Sequence, residues 1–335
     1  MKKFVAMILV LALLVVFNGS VLQVKANPTV WNVPMQFPTI TAALQSGLVA
    51  PGDTIHVWQG AYIENPVVGI PNIKIIGQST ALVTIQAAGP GPCFSIIAPG
   101  ITIMELSIVC PVMVGGTFGI YIFPSFGQCK IWNNVILNFD YGIYIDNSPS
   151  NEIIGNEISN CMATQAPPPF CSTAIYINGP GATNNIIRGN ELGSIAPNWY
   201  GVGTNGASGN TIIFNNFWII INFPQAFVVP GDINTWDNPA RQKGNWWSGA
   251  LPPYVIDPLN IDNFCHPAPF NWALYPWDVN RDCTCSMTDI ATIAKAFGAQ
   301  WSSERWHPKA DLNGDGNVDM QDIGRAARNF GWSYP

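Results

Sequence analysis

The chain has 335 residues, of which only 10% are charged; 14 Lys and Arg stand against 20 Asp and Glu, for a net charge of −6. That length accommodates one large domain and a small one. The acidic balance excludes the basic footprint that non-specific nucleic-acid binding requires.

Residues 1–26 read as a secretory signal. Lys2 and Lys3 precede an apolar run from Phe4 to Phe17, and Val24 and Ala26 suit a small-residue cleavage site. The run is shorter than the ~20 residues of a spanning helix, and no later stretch is long and apolar enough to span. The chain is therefore expected to be secreted, with disulfides formed among its eight cysteines. Cys161 and Cys171 bracket the Pro-rich insertion MATQAPPPF and are paired in this reading. Cys93 with Cys110, and Cys265 with Cys283 or Cys285, are further options.

Thr39–Leu48 is amphipathic, and Pro51-Gly52-Asp53 then turns the chain into short β-branched runs such as Thr54–Val57 and Ile73–Ile76. The runs repeat. GIYI at Gly119 returns at Gly142 and as AIYI at Ala174, while KIWNNVI (Lys130) returns as EIIGNEI (Glu152), IIRGNEL (Ile186) and TIIFNNFW (Thr211). Steps of about 22–34 residues match one coil of a parallel β-helix with insertions between rungs. The alignment turns Ile131, Ile153, Ile187 and Ile213 inward, with Ile136, Ile158, Leu192 and Trp218. It places Asn134, Asn156, Asn190 and Asn216 at one turn, where amides can bond from coil to coil. The amphipathic segment serves as the cap that an open solenoid end needs.

Between residues 27 and 277 there are only 5 Lys or Arg and 12 Asp or Glu, so few catalytic acids are available. Glu157 and Glu191 occupy equivalent outward positions one rung apart, with Arg188 beside them. Rungs are separated by ~4.8 Å, near the carboxylate spacing of a retaining glycosidase, and Arg188 would neutralise one acid. Trp132, Phe214 and Phe217 flank this face as sugar-stacking candidates. His56, in a strand and far from other catalytic types, reads as a packing residue. Trp236, Trp246, Trp247, Trp272 and Trp277 read as an aromatic plug for the C-terminal end of the solenoid, the alternative being a sugar-stacking surface.

Two acidic loops follow, starting 33 residues apart, at Asp278 and Asp311. Calcium takes 6–8 oxygens, which a 12-residue loop supplies from positions 1, 3, 5, 7, 9 and 12. In the second loop these are Asp311, Asn313, Asp315, the Asn317 carbonyl, Asp319 and Asp322, with Gly316 at the sharp turn. In the first they include Asp278, Asn280, Asp282 and Asp289, with Ser286 at position 9, but Cys283 replaces glycine at position 6. Two calcium ions are expected, the second loop being the cleaner site. Each loop leads into an amphipathic helix, Ile290–Phe297 and Ile323–Phe330.

The loops with their terminal Asp, and the phrase DLNGDGNVDMQDI, resemble a type I dockerin over residues 278–332. The resemblance implies a calcium-dependent, all-α module that docks onto a cohesin. Met287, Thr288, Met320, Gln321, Lys295 and Arg328 would face that partner. FPTITAALQSGLVAPGDTIHV, GIYIDNSPSNEIIGNEIS and NTWDNPARQKGNWWSG resemble the NosD-like, carbohydrate-binding and sugar-hydrolysis branch of the pectate-lyase-like superfamily. That implies a mainly β fold, a right-handed parallel β-helix with its N-terminal amphipathic cap, over residues 27–270. A dockerin-like domain occupies 271–335. The short aromatic joint Asn271–Trp277 predicts that the two pack together.

Two functions follow as expectations. In one, the β-helix binds and cleaves or simply binds extracellular polysaccharide while the dockerin attaches it to a cohesin. In the other, the chain is a non-catalytic surface or adhesion protein assembled through calcium.

Overall fold

A computed structural model describes residues 28–112, 115–161, 172–194, 199–219, 225–301 and 303–334. Residues 1–26, read from the sequence as a signal, and Cys171 lie outside them. The body is a right-handed parallel β-helix of about seven turns, built from three sheets of 8, 7 and 8 strands. One coil runs through Lys130–Trp132 on the first sheet, Val135–Leu137 on the second and Tyr141–Asp146 on the third. Helix α1, Ile40–Gln45, closes the first coil: Thr39 caps it, Ile40 and Ala43 are buried, and the Glu64 carboxylate accepts from the amides of Ile40 and Thr41.

Strict alternation fills the core. Ile131, Ile153, Ile187 and Ile212 form one fully buried column, and Ile136, Ile158, Leu192 and Phe217 another. The last coil therefore sits one residue earlier than its sequence alignment suggests: Ile212 and Phe217, not Ile213 and Trp218, point inward. A one-residue shift sends each side chain of a strand to the other face, so Trp218 is 42% exposed.

The same shift makes Asn215, not Asn216, a rung of the buried amide ladder Asn134–Asn156–Asn190–Asn215–Asn245. From Asn156 onward each Oδ1 accepts both the backbone N–H and the Nδ2–H of the asparagine one coil before, while Asn134 Oδ1 accepts from Leu106 N. For Asn190 the donors are Asn156 N at 2.9 Å and Nδ2 at 3.1 Å. A second ladder, Asn151–Asn185–Asn210–Asn234–Asn260, runs along another turn. Asp262 ends the first ladder, accepting from Asn245 N and Trp247 Nε1. Above it, Trp247 stacks between Phe217 and Tyr254 at 4.0 and 4.1 Å, with buried Trp236 beside it. These two indoles are the expected aromatic plug. Trp272 and Trp277 stand apart from it, packed into the joint and the C-terminal module.

The C-terminal module has its own small core, including Ile293, Val318 and Ala326, between helices α2 (Met287–Lys295) and α3 (Met320–Arg328). A third cluster joins it to the β-helix: Ile213 and Phe214 meet Phe270, Trp272, Cys283 and Tyr334. His56 is buried against Trp301 at 4.8 Å, and burial followed by Lys74 pushes its pKa down to about 4, as a packing residue requires. The described cysteines Cys93, Cys110, Cys129, Cys161, Cys265, Cys283 and Cys285 are free thiols, so the Cys93–Cys110 and Cys265 pairings are not formed. The Cys161–Cys171 pairing lies outside the described residues through Cys171.

Asn190→Leu should strand two buried donors of Asn156 and cost about 3 kcal/mol in denaturant unfolding. Burial lifts the Asp262 carboxyl to about 6 against the hydrogen bonds of Trp247 and Asn245. Folded Asp262 thus holds its proton where the unfolded chain has lost it. The contribution is full below the unfolded pKa near 4 and is lost as pH rises through about 6. Stability should fall by about 3 kcal/mol across that window, and the slope should be absent in Asp262→Asn.

Candidate functional site

One column of turn residues, between the first and second sheets, decides what faces the module. It runs Glu105, Asn133, Gly155, Gly189, Phe214, all left-handed, with φ from 53° to 70°. The two glycines leave a notch, and the first calcium loop fills it with Arg281. Arg281 Nη1 donates to Gly189 O at 2.7 Å. A Cβ on Gly189 would stand 2.7 and 2.8 Å from Arg281 Cδ and Cβ, and one on Gly155 would stand 3.1 Å from its guanidinium carbon. The guanidinium also lies 5.6 Å from the Trp272 ring.

Beside the notch opens a cleft of about 590 Å³ whose lining includes Glu105, Glu157, Glu191, Trp218, Trp272, Arg281 and Lys309. Glu157 and Glu191 are direct register partners on adjacent strands, Glu157–Ser159 and Glu191–Ser194. Glu191 is held by two donors from the next coil, Asn216 Nδ2 at 2.8 Å and Trp218 Nε1 at 2.5 Å. Burial raises its pKa; Trp218, Asn216 and Arg281 oppose the rise and Glu157 adds to it. Glu105, buried, is raised by burial against the pull of Lys309, 4.0 Å away, and of Arg281.

Arg188 does not join this pair. It ends a strand of the first sheet, opposite Ile154 and Ile213, and the turn at Gly189 separates it from Glu191. It lines a second cleft of about 250 Å³ with Trp132, Glu152 and His307. Arg281, from the first loop, is the arginine that lines the cleft with Glu157 and Glu191. The expected aromatic flank is also displaced: Phe214 and Phe217 are buried, Trp132 faces the second cleft, and Trp218 with Trp272 stand at the first. Sequence reasoning missed Arg281, Glu105 and Lys309. The available signal was a pair: bare glycine at one turn in two successive repeats, and Arg281 at the loop position that Gly314 fills in the second loop.

The two calcium loops fold alike. Asp278 accepts from the amides of Asp282 and Cys283, and Asp311 from those of Gly314, Asp315 and Gly316. Asp289 and Asp322 each take the N3 position of a capping box, at the start of α2 and of α3. In the first loop, carboxylate oxygens of Asp278, Asp282 and Asp289 lie within 4.8 Å of one another. Burial, then Asp282 and Asp289, raise Asp278 to about 8. Three gathered carboxylates, two of them buried, fit a hard divalent cation that neutralises them. Position 6 is left-handed in both loops, φ 66° at Cys283 and 85° at Gly316.

Of the expected partner-facing residues, Met287 and Met320 are 64% and 65% exposed, and Gln321 and Arg328 are open. Thr288 and Lys295 are also exposed, but each lines a cleft shared with the β-helix.

Residues 118–221 match a family model described as a right handed beta helix region, and residues 276–329 match the dockerin type I domain. No curated protein matches the chain. Among solved structures, ORF18 of Geobacillus virus E2 is similar over 56% of this chain and 44% of its own, at 14% identity and TM-score 0.42. The catalytic domain of a GH87 alpha-1,3-glucanase in complex with nigerose is similar over 63% of this chain and 39% of its own, at 17% and 0.43. A pectin methylesterase in complex with a hexasaccharide is similar over 67% and 93%, at 11% and 0.40. The chain thus spans less than half the length of the first two. Likeness at this level says nothing of activity.

Calcium at 100 times its dissociation constant should stabilise the module by about 2.7 kcal/mol per site. Calorimetric unfolding with calcium and with chelator checks this, and Asp278→Ala should remove the first loop's share.

Proposed function

We propose that this chain is an extracellular polysaccharide-binding protein whose cleft, at the joint between β-helix and module, holds a glycan chain. A dockerin type I domain assembles with a cohesin, so residues 276–329 give the attachment. The calcium that such domains bind would be held by the first-loop and second-loop aspartates, where it supplies the charge that folds the loops.

The observation that carries the binding reading is Trp218. Its indole is partly exposed at the cleft, packed against Trp246 with ring centroids 4.5 Å apart, and its N–H is tied to Glu191. A fixed aromatic face beside convergent carboxylates and a guanidinium suits a polyhydroxylated ring, apolar on its faces and hydrogen-bonding at its edge.

A second reading, cleavage at the same cleft, is favoured by the register pairing of Glu157 with Glu191. Carboxylates on adjacent rungs stand ~5 Å apart, the spacing of a retaining glycosidase pair. Burial raises the Glu191 carboxyl, which suits it to donate a proton to the leaving oxygen, and Glu157, exposed on the neighbouring rung, suits the carboxylate that meets the anomeric carbon.

Titration of the calcium-loaded protein with pectins, glucans and uronic-acid polymers tests both readings. Trp218→Ala should weaken binding at least tenfold, about 1.4 kcal/mol. If the protein cleaves, Glu157→Gln and Glu191→Gln should each cut release of reducing ends by about 10²-fold or more. Binding with no cleavage leaves the first reading alone. Absence of any polymer binding supports instead a non-catalytic adhesion protein assembled through calcium.

A further inference from the structure

We propose that calcium in the first loop controls the cleft, because the loop it folds is what sets Arg281 into the cleft that Glu105 and Glu191 also line. The inference rests on the reading of the cleft above only for what the cleft holds; the linkage itself is between a calcium site and a residue position.

Arg281 is bracketed by loop residues on both sides, Asn280 and Asp282. The loop is drawn around its first carboxylate by the Asp282 and Cys283 amides, at 3.0 and 2.9 Å from Asp278, and Asn280 N reaches Asp289 at 3.3 Å. Whatever moves these carboxylates moves the Arg281 backbone with them. On the far side, the side chain is held by Gly189 O and by the bare Gly155–Gly189 notch.

Backbone conformation points the same way. Positions 4 and 6 are left-handed in both loops. The second loop meets that demand with Gly314 and Gly316; the first uses Arg281, φ 52°, and Cys283, φ 66°. A non-glycine residue held there costs about 1–3 kcal/mol unless its surroundings over-determine it. These two strained residues are the ones that leave the loop for the β-helix: Arg281 enters the notch, and Cys283 is fully buried among Phe214, Phe270, Trp272 and Tyr334. Docking contacts therefore offset strain that the first loop alone would bear.

Position completes the linkage: Arg281 lines the cleft with Glu105 and Glu191, while its two chain neighbours, Asn280 and Asp282, belong to the loop's oxygen set. Linkage is reciprocal: a cleft that holds Arg281 in place must raise the first loop's calcium affinity by the same factor.

Calorimetric calcium titration of the full chain tests this, with Asp289→Ala used to identify the first-loop binding step. Gly189→Leu fills the notch, adds no charge and lies outside both loops. It should weaken the first-loop affinity at least fivefold and leave the second loop unchanged. Unchanged first-loop affinity in a folded Gly189→Leu protein overturns the proposal. Should that variant fail to form its coil, Arg281→Ala decides by sign. Removing a neighbouring cation would by Coulomb's law alone strengthen calcium binding, whereas loss of the docked arginine weakens it; equal or tighter binding overturns the proposal. A further arm measures polysaccharide binding to wild type and Asp289→Ala at saturating calcium for the second loop, where at least fivefold weaker binding by the variant is expected and equal affinity overturns control of the cleft. If no polymer binds wild type, the sugar reading fails while the calcium titration still decides the linkage.

Discussion

Buried amides govern this molecule. A primary amide inside a protein carries two donors and a carbonyl, and leaving any of them unpaired costs about 1–3 kcal/mol. In the first ladder each Oδ1 from Asn156 to Asn245 is filled by two donors from the preceding coil, as Asn190 is by Asn156. Only one vertical register satisfies such a chain of bonds, and it must hold over every coil at once. The isoleucine columns add burial but tolerate sliding between similar side chains; the asparagines do not. Coil-to-coil register in this β-helix is accordingly a hydrogen-bonding decision made at the turns.

Everything at the cleft inherits that register. It puts Glu157 opposite Glu191 and sets Asn216 and Trp218 over Glu191. It also stacks Gly155 on Gly189, so that two missing side chains become one notch. Shift any coil by a residue and the carboxylates, the tryptophan and the notch would face different sheets. The acidic cleft and the docking of the C-terminal module are thus consequences of one constraint.

The two calcium loops, alike in hydrogen bonding, differ in their obligations. The second uses glycine where the backbone is left-handed and presents Met320, Gln321 and Arg328 to the outside. The first spends those positions on Arg281 and Cys283, and its helix lies over clefts shared with the β-helix through Thr288 and Lys295. Lys309 reaches Glu105 and Arg241 reaches Asp282, so charges also cross the joint in both directions. The first half of the module thus lies against the chain's own solenoid through Thr288 and Lys295, and the second leaves Met320, Gln321 and Arg328 exposed.

Periodicity alone carried the architecture. Repeats of GIYI and of the asparagine phrase specify a stacked parallel solenoid, because only stacking lets each short strand find its bonds. The 12-residue spacing of oxygens in both loops is that of a calcium-binding loop. The pairing of Glu157 with Glu191 was legible because each directly follows a ladder asparagine, Asn156 or Asn190, and directly precedes a core residue, Ile158 or Leu192. The final coil was misread by one residue, since TIIFNNFW offers two adjacent isoleucines, two asparagines and two aromatics, and local pattern cannot choose between them; the ladder to Asn245 does. Arg188 was assigned to the cleft by proximity in sequence, and a single left-handed turn at Gly189 puts it on another sheet. Arg281 is the clearest case of what tertiary structure decides. It lies 90 residues from Glu191 along the chain, its role depends on two glycines whose meaning is an empty volume, and no sequence pattern records an empty volume until the coils are stacked and the module is laid against them.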